Sequence, residues 1–136
     1  MAPDDPKAEL TREWLTKAEH DLVAAERAAT PPPLPDVTAF HCQQAAEKAL
    51  KAYLTWHDRP FRRSHQLAEL LEQCGAIVPE FRALTEAAQT LTPYAVVARY
   101  PPLVAEPTVG EAREALRLAH EVMSFVLARL PADARP

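Results

Sequence analysis

The run 36–56, DVTAFHCQQAAEKALKAYLTW, constrains the fold more than any other stretch of this chain. It contains no Gly or Pro, and Ala, Leu, Lys, Glu and Gln dominate it, so propensity and pattern agree on one long helix. Asp36 reads as the N-cap of that helix. Ala39, Cys42, Ala46, Ala49, Tyr53 and Trp56 recur at steps of three and four. They form an apolar stripe, small in its middle, against which another helix can come close. His41, Gln44, Lys48, Lys51 and Thr55 form a second, polar stripe at the same kind of spacing. That stripe is either a solvated helix face or a binding face, and spacing alone does not choose between them.

A helix with an apolar face needs partners, and the rest of the chain supplies them. A first helix runs from Lys7 or Thr11 to Ala29, with Trp14, Ala18, Leu22 and Ala25 as its apolar stripe. The TPPPLP stretch after it cannot be helical and reads as a stiff connector, with an aromatic-groove motif as the weaker alternative. A loop, HDRPFRR, follows the long helix. Ser64 then caps a third helix, with Leu67, Leu70, Leu71 and Cys74 inward and Gly75 just past its end. Pro79 and Glu80 open a fourth helix carrying Phe81, Leu84, Ala88 and Leu91, and Pro93 stops or kinks it. The run 94–100 reads as an ordered, partly buried connector. Thr108 with Glu111 matches a capping box. It opens a last helix running to Leu130, with Ala112, Ala115, Leu116, Ala119, Met123 and Val126 in its core stripe. Val122, Phe125 and Leu127 widen that stripe, which implies burial by more than one neighbour, a second subunit being one possibility. The expected fold is all-α: an up-and-down antiparallel bundle of about five helices, spanning 7–130 between short tails at 1–6 and 131–136.

With 136 residues the chain forms one domain able to bury its own core. A net charge of −4 argues against a general surface for duplex nucleic acid and leaves room for a local basic patch. The cysteines, Cys42 and Cys74, lie on apolar faces and read as small buried hydrophobes. No metal motif such as HExxH or CxxC occurs, and two glycines cannot build a phosphate loop, so neither metal nor cofactor is expected. No apolar run reaches membrane-spanning length and no signal peptide is seen, so no membrane partner is expected and the cytoplasm is the default location.

Arg59, Arg62 and Arg63 with His65 make a basic cluster directly after the long helix and near Lys51. Grouped guanidiniums bind phosphate through paired hydrogen bonds, while a solvated loop offsetting the helix dipole is the plainer reading. Tyr94, Arg99 and Tyr100 form a second group, in which an arginine between aromatics either clamps a base or phosphate or neutralises a nearby glutamate. Ser64 beside His65 has the composition of a nucleophile pair, but a helix-capping serine explains it better.

Several of these stretches together resemble the HEPN family of small helical prokaryotic proteins. The matching residues are Ala18-Glu19-His20-Asp21-Leu22, then Phe40-His41-Cys42-Gln43-Gln44-Ala45-Ala46-Glu47-Lys48-Ala49-Leu50-Lys51-Ala52, then Ser64-His65-Gln66-Leu67, and finally Ala98-Arg99-Tyr100-Pro101. The resemblance covers about 14–130. It implies a helical bundle that pairs into a homodimer and works beside a minimal nucleotidyltransferase, binding nucleotide or presenting substrate. Other members of the family are metal-independent ribonucleases, often toxins of toxin–antitoxin pairs. They carry an arginine followed four to six residues later by a histidine, near the last helix. This chain departs from that pattern, because no histidine follows Arg99 within reach. The pairs Arg59–His65 and Arg113–His120 have near spacings, as chance alone allows, and leave His65, His120 and Arg113 as the catalytic candidates of the ribonuclease alternative. The expected phosphate- or nucleotide-binding set is Lys48, Lys51, Arg59, Arg62, Arg63 and Arg99, with His41, Gln44 and Tyr100 giving polar or stacking contacts. A non-catalytic subunit that only docks another protein is a further alternative.

Overall fold

The computed structural model describes residues 5–61, 63, 65–97 and 105–136. Helix α1 spans Pro6–Ala28. It starts earlier than Thr11 because Asp5 caps it: the carboxylate accepts from the backbone N–H of Lys7 and of Ala8, and Pro6 occupies the first turn. Thr11 is buried inside the helix, and its hydroxyl donates to the Lys7 carbonyl at 2.8 Å. Helix α2 spans Pro35–Trp56. Asp36 is therefore not its N-cap. Pro35, with φ preset for a helix and no N–H to satisfy, starts it two residues sooner than an Asp36 cap implies, and Asp36 faces the positive end of the dipole from the first turn.

Helix α3 spans Leu67–Ile77, with Gln66 in the cap position and the Leu67 N–H donating to Thr92 Oγ1 at 3.3 Å. The Ser64 cap is thus corrected to Gln66, and Ser64 itself lies outside the described residues. Gly75 does not end the helix either; it lies inside it, with negative φ. A 3₁₀ segment, Pro79–Leu84, leads into α4, Thr85–Leu91, and a second, Thr92–Ala95, follows where Pro93 blocks continuation. Helix α5 spans Val109–Leu127 and opens on the expected capping box, Thr108 and Glu111 each bonding the other's backbone N–H. A short 3₁₀ turn, Ala132–Ala134, brings the end of the chain back onto α1: Ala134 is buried and the Arg12 guanidinium donates to the Asp133 carbonyl.

These elements make an antiparallel helical bundle with α2 at its centre, in contact with each of the other four α-helices. No strand occurs among the described residues. The α1–α2 register is plain from the side chains: Thr38 Oγ1 donates to the Ala25 carbonyl, Asp21 meets His41, and the Lys51 ammonium lies over the Trp14 ring. The small residues Ala39, Cys42, Ala46 and Ala49 are all buried, which lets the helices pack closely. Around them Leu15, Leu22, Leu54, Leu91 and Val126 fill the core, with Tyr53 against Phe81 at 4.6 Å and Phe81 against Phe125 at 4.9 Å between ring centres. The wide stripe of α5 is covered within one chain by α1, α2 and α4. Its outer side is polar, with Arg113, Glu114, Arg117, His120 and Glu121 exposed.

Candidate functional site

Few groups on the polar side of α2 reach water. Thr38, Gln43, Gln44, Glu47 and Lys51 are buried, and His41 and Lys48 are only partly exposed. Helix α1, Phe61 and His65 lie over this side and convert a stripe that looks solvated into a layer of paired charges.

Two buried carboxylates organise the layer in the same way. Asp21 of α1 meets His41 Nδ1 with Oδ1 at 2.8 Å and Lys48 Nζ with Oδ2 at 2.6 Å. Glu47 of α2 meets His65 Nδ1 with Oε1 at 2.8 Å and Lys51 Nζ with Oε2 at 3.0 Å. Gln43 Nε2 donates both to Glu47 Oε1 and to the His65 carbonyl, at 3.2 and 3.1 Å, and Gln44 Nε2 donates to Gln43 Oε1 at 2.7 Å. Each carboxylate therefore serves one imidazole and one ammonium. Burial pushes the Glu47 carboxyl up, but hydrogen bonds from His65, Lys51 and Gln43 outweigh it and hold the group below its ordinary range. Lys51 also faces Trp14 and Phe61, with Nζ 5.6 and 5.5 Å from the ring centres.

This geometry sorts the expected site residues. Lys51 and Gln44 are each only 8% exposed and belong to the inner wall, their polar groups already engaged. His41, Lys48 and His65 are the outer members, with side chains 29%, 25% and 50% exposed. Arg59 and Arg63 are exposed in the segment after α2. That segment turns at Asp58, whose φ of 56° ends the helix and lets the Arg59 N–H reach the Leu54 carbonyl at 2.9 Å. Arg62, Arg99 and Tyr100 lie outside the described residues. Arg113 and His120 do not converge with His65. Arg113 lines a crevice with Pro33, Pro35 and Thr38 at the start of α2, and His120 Nε2 meets Glu26 of α1 at 2.9 Å. At 1.5 Å per residue, Thr38 is roughly 14 Å along α2 from Glu47, which His65 meets.

Cys42 and Cys74 are buried free thiols pushed up to about 12 by burial, which makes them poor nucleophiles and poor metal ligands at neutral pH. Among the described residues no group of three or more His, Cys, Asp or Glu side chains converges on a position for a metal ion. Nor is any helix among them long and apolar enough to cross a membrane.

Asp21, Gln43 and Glu47 are the organising residues that sequence reasoning did not single out. The signal was present for Asp21: it falls three residues after Ala18 and four before Ala25, on the apolar stripe of α1, where an acid needs a buried partner.

A profile of the HEPN domain matches residues 11–130, nearly the whole bundle. The chain belongs to the HEPN family. Two crystal structures superpose closely on this HEPN chain. TT1696 from Thermus thermophilus is 32% identical, with a TM-score of 0.74 covering 88% of this chain and 98% of that one. ST0689, described as an archaeal HEPN homologue, is 25% identical, with a TM-score of 0.71 covering 88% and 96%. A comparison with curated proteins gives no match. In this HEPN chain the polar stripe of α2 is a layer of paired charges, with His41, Lys48 and His65 at its solvent edge.

Proposed function

We propose that this HEPN protein is a phosphate- or nucleotide-binding module that acts as a homodimer beside a nucleotidyltransferase-type partner. One observation carries the reading: His41, Lys48 and His65 are held by two buried carboxylates at the solvent edge of α2, and Arg59 and Arg63, which precede His65 in the chain, are exposed. Pre-positioned donors bind an anion without first losing side-chain freedom, and guanidiniums add bidentate contacts to phosphate oxygens. Asp21 and Glu47 balance Lys48 and Lys51, so the surplus positive charge lies with the arginines and with any imidazole that takes up a proton. The partner rests on the family alone.

Calorimetric titration with ATP and UTP tests this. Binding is expected, weakened about five- to ten-fold in each of Arg59→Ala, Arg63→Ala and Lys48→Ala, as loss of a contact of about 1 kcal/mol requires. No heat with either nucleotide, or full affinity in all three variants, overturns the reading. Incubation with RNA in EDTA is the companion assay. Cleavage that disappears in His65→Ala or His120→Ala would replace the binding module with a metal-independent ribonuclease. Purification of the dimer with a co-expressed minimal nucleotidyltransferase tests the partnership.

A further inference from the structure

We propose that the outer face of α3 docks a basic amphipathic helix of a partner protein. Two grooves flank this helix. One, of about 380 Å³, lies between α3 and α4 with the 3₁₀ segment before it; Leu71, Gly75, Ala76 and Ala88 line it, with Glu72 and Arg82 exposed at its edge. The other, of about 690 Å³, lies between α3 and Phe61, over Leu70, with Glu69 and Glu72 exposed at its edge. Glu72 and Ala76 line both grooves, so a single helix laid on α3 reaches the two of them. Apolar side chains entering grooves of this size are how amphipathic helices bind.

Charge selects the occupant. Between positions 66 and 97 the sequence carries Glu69, Glu72, Glu80 and Glu86 against Arg82 alone, with no lysine or histidine. All four carboxylates are exposed. A surface of that sign repels phosphate and attracts lysine and arginine side chains. An apolar groove edged by carboxylates therefore complements a helix with an apolar face flanked by cations. Gly75 supports the same conclusion independently. Glycine weakens a helix interior more than any residue except proline. Here the backbone is helical with negative φ, and an added Cβ would meet nothing within 4 Å. Neither the backbone nor the packing of this chain calls for glycine at that position. The space its missing side chain leaves is part of the groove, and it lets another helix approach α3 closely. The surface uses none of the phosphate-binding residues, so the two proposals stand or fall separately.

The test sets binding against stability. The probe is a fluorescent, end-capped peptide with leucine at helical spacing and arginine and alanine elsewhere, titrated with the full-length protein at physiological ionic strength and followed by anisotropy. Saturable binding is expected. Gly75→Leu fills the groove and should weaken binding about ten-fold while melting no lower than the wild type, since leucine is the better helix former. Loss of binding through misfolding would lower both, so the opposite signs identify the groove. Ala76→Leu, at an exposed position lining both grooves, is the second variant and should behave alike. The double variant Glu69→Gln/Glu72→Gln should weaken binding about five-fold, and a peptide with glutamate in place of arginine should not bind. No saturable binding, or affinity within about two-fold of wild type in both leucine variants, overturns the proposal. So does a self-association, seen by sedimentation, that both leucine variants abolish while peptide binding persists, because a second copy of the chain is then the occupant.

Discussion

Lys51→Met isolates the energetics of the inner wall. The Lys51–Glu47 contact is 3.0 Å, with the two side chains 11% and 5% exposed. At an effective dielectric of about 20 the direct attraction is roughly 5 kcal/mol, and stranding one member of a buried pair generally costs about 3–5 kcal/mol. His65 and Gln43 still serve Glu47 in the variant, and the methionine stem refills much of the space between Trp14 and Phe61. The expected loss is therefore near the low end, about 3 kcal/mol at pH 7, or roughly 10–15 °C in Tm for a domain of this size. Urea unfolding followed by helical circular dichroism measures it. The pH dependence supplies the control. Glu47 is held below its ordinary value of 4.5 in the folded state, so its contribution is present above that value and disappears as pH falls through the folded one. The gap between wild type and variant should shrink as pH falls through the carboxylate range, because in both proteins Glu47 then takes a proton. A loss under about 1 kcal/mol at pH 7, or a gap indifferent to pH, would refute the claim that a buried charge pair holds this face together.

Other consequences are simpler to check. Gly75→Ala should stabilise by about 1 kcal/mol in chemical denaturation, because the position is helical and an added Cβ meets nothing within 4 Å. Thr108→Ala should cost about 1 kcal/mol, since it removes the acceptor of the 3.0 Å bond from the Glu111 N–H that closes the α5 capping box. Cys42 and Cys74, buried and pushed up to about 12, should resist a thiol reagent at pH 8 in the native protein and react promptly in denaturant; fast labelling of the folded protein would contradict their placement.

The chain alone determined the bundle, because helix propensity, apolar periodicity and proline punctuation are local and add along the sequence. α2 was legible to its last residue, as were the Thr108–Glu111 box and the inward residues of α3. The misplaced boundaries were also local matters. Asp5-Pro6 starts α1 ahead of Lys7 and Thr11, Pro35 starts α2 two residues sooner than an Asp36 cap implies, and Gly75 stays helical since no left-handed residue is needed before Pro79. The candidate site was decided elsewhere. His41, Gln44, Lys48 and Lys51 recur just as a wet helix face would. Only the packing of α1 and of residues after α2 over that face buried it and added Asp21 and His65 as partners, beside the Glu47–Lys51 pair within α2. Whether a polar side chain meets water or a carboxylate depends on which distant element covers it, and periodicity within one helix carries no such information.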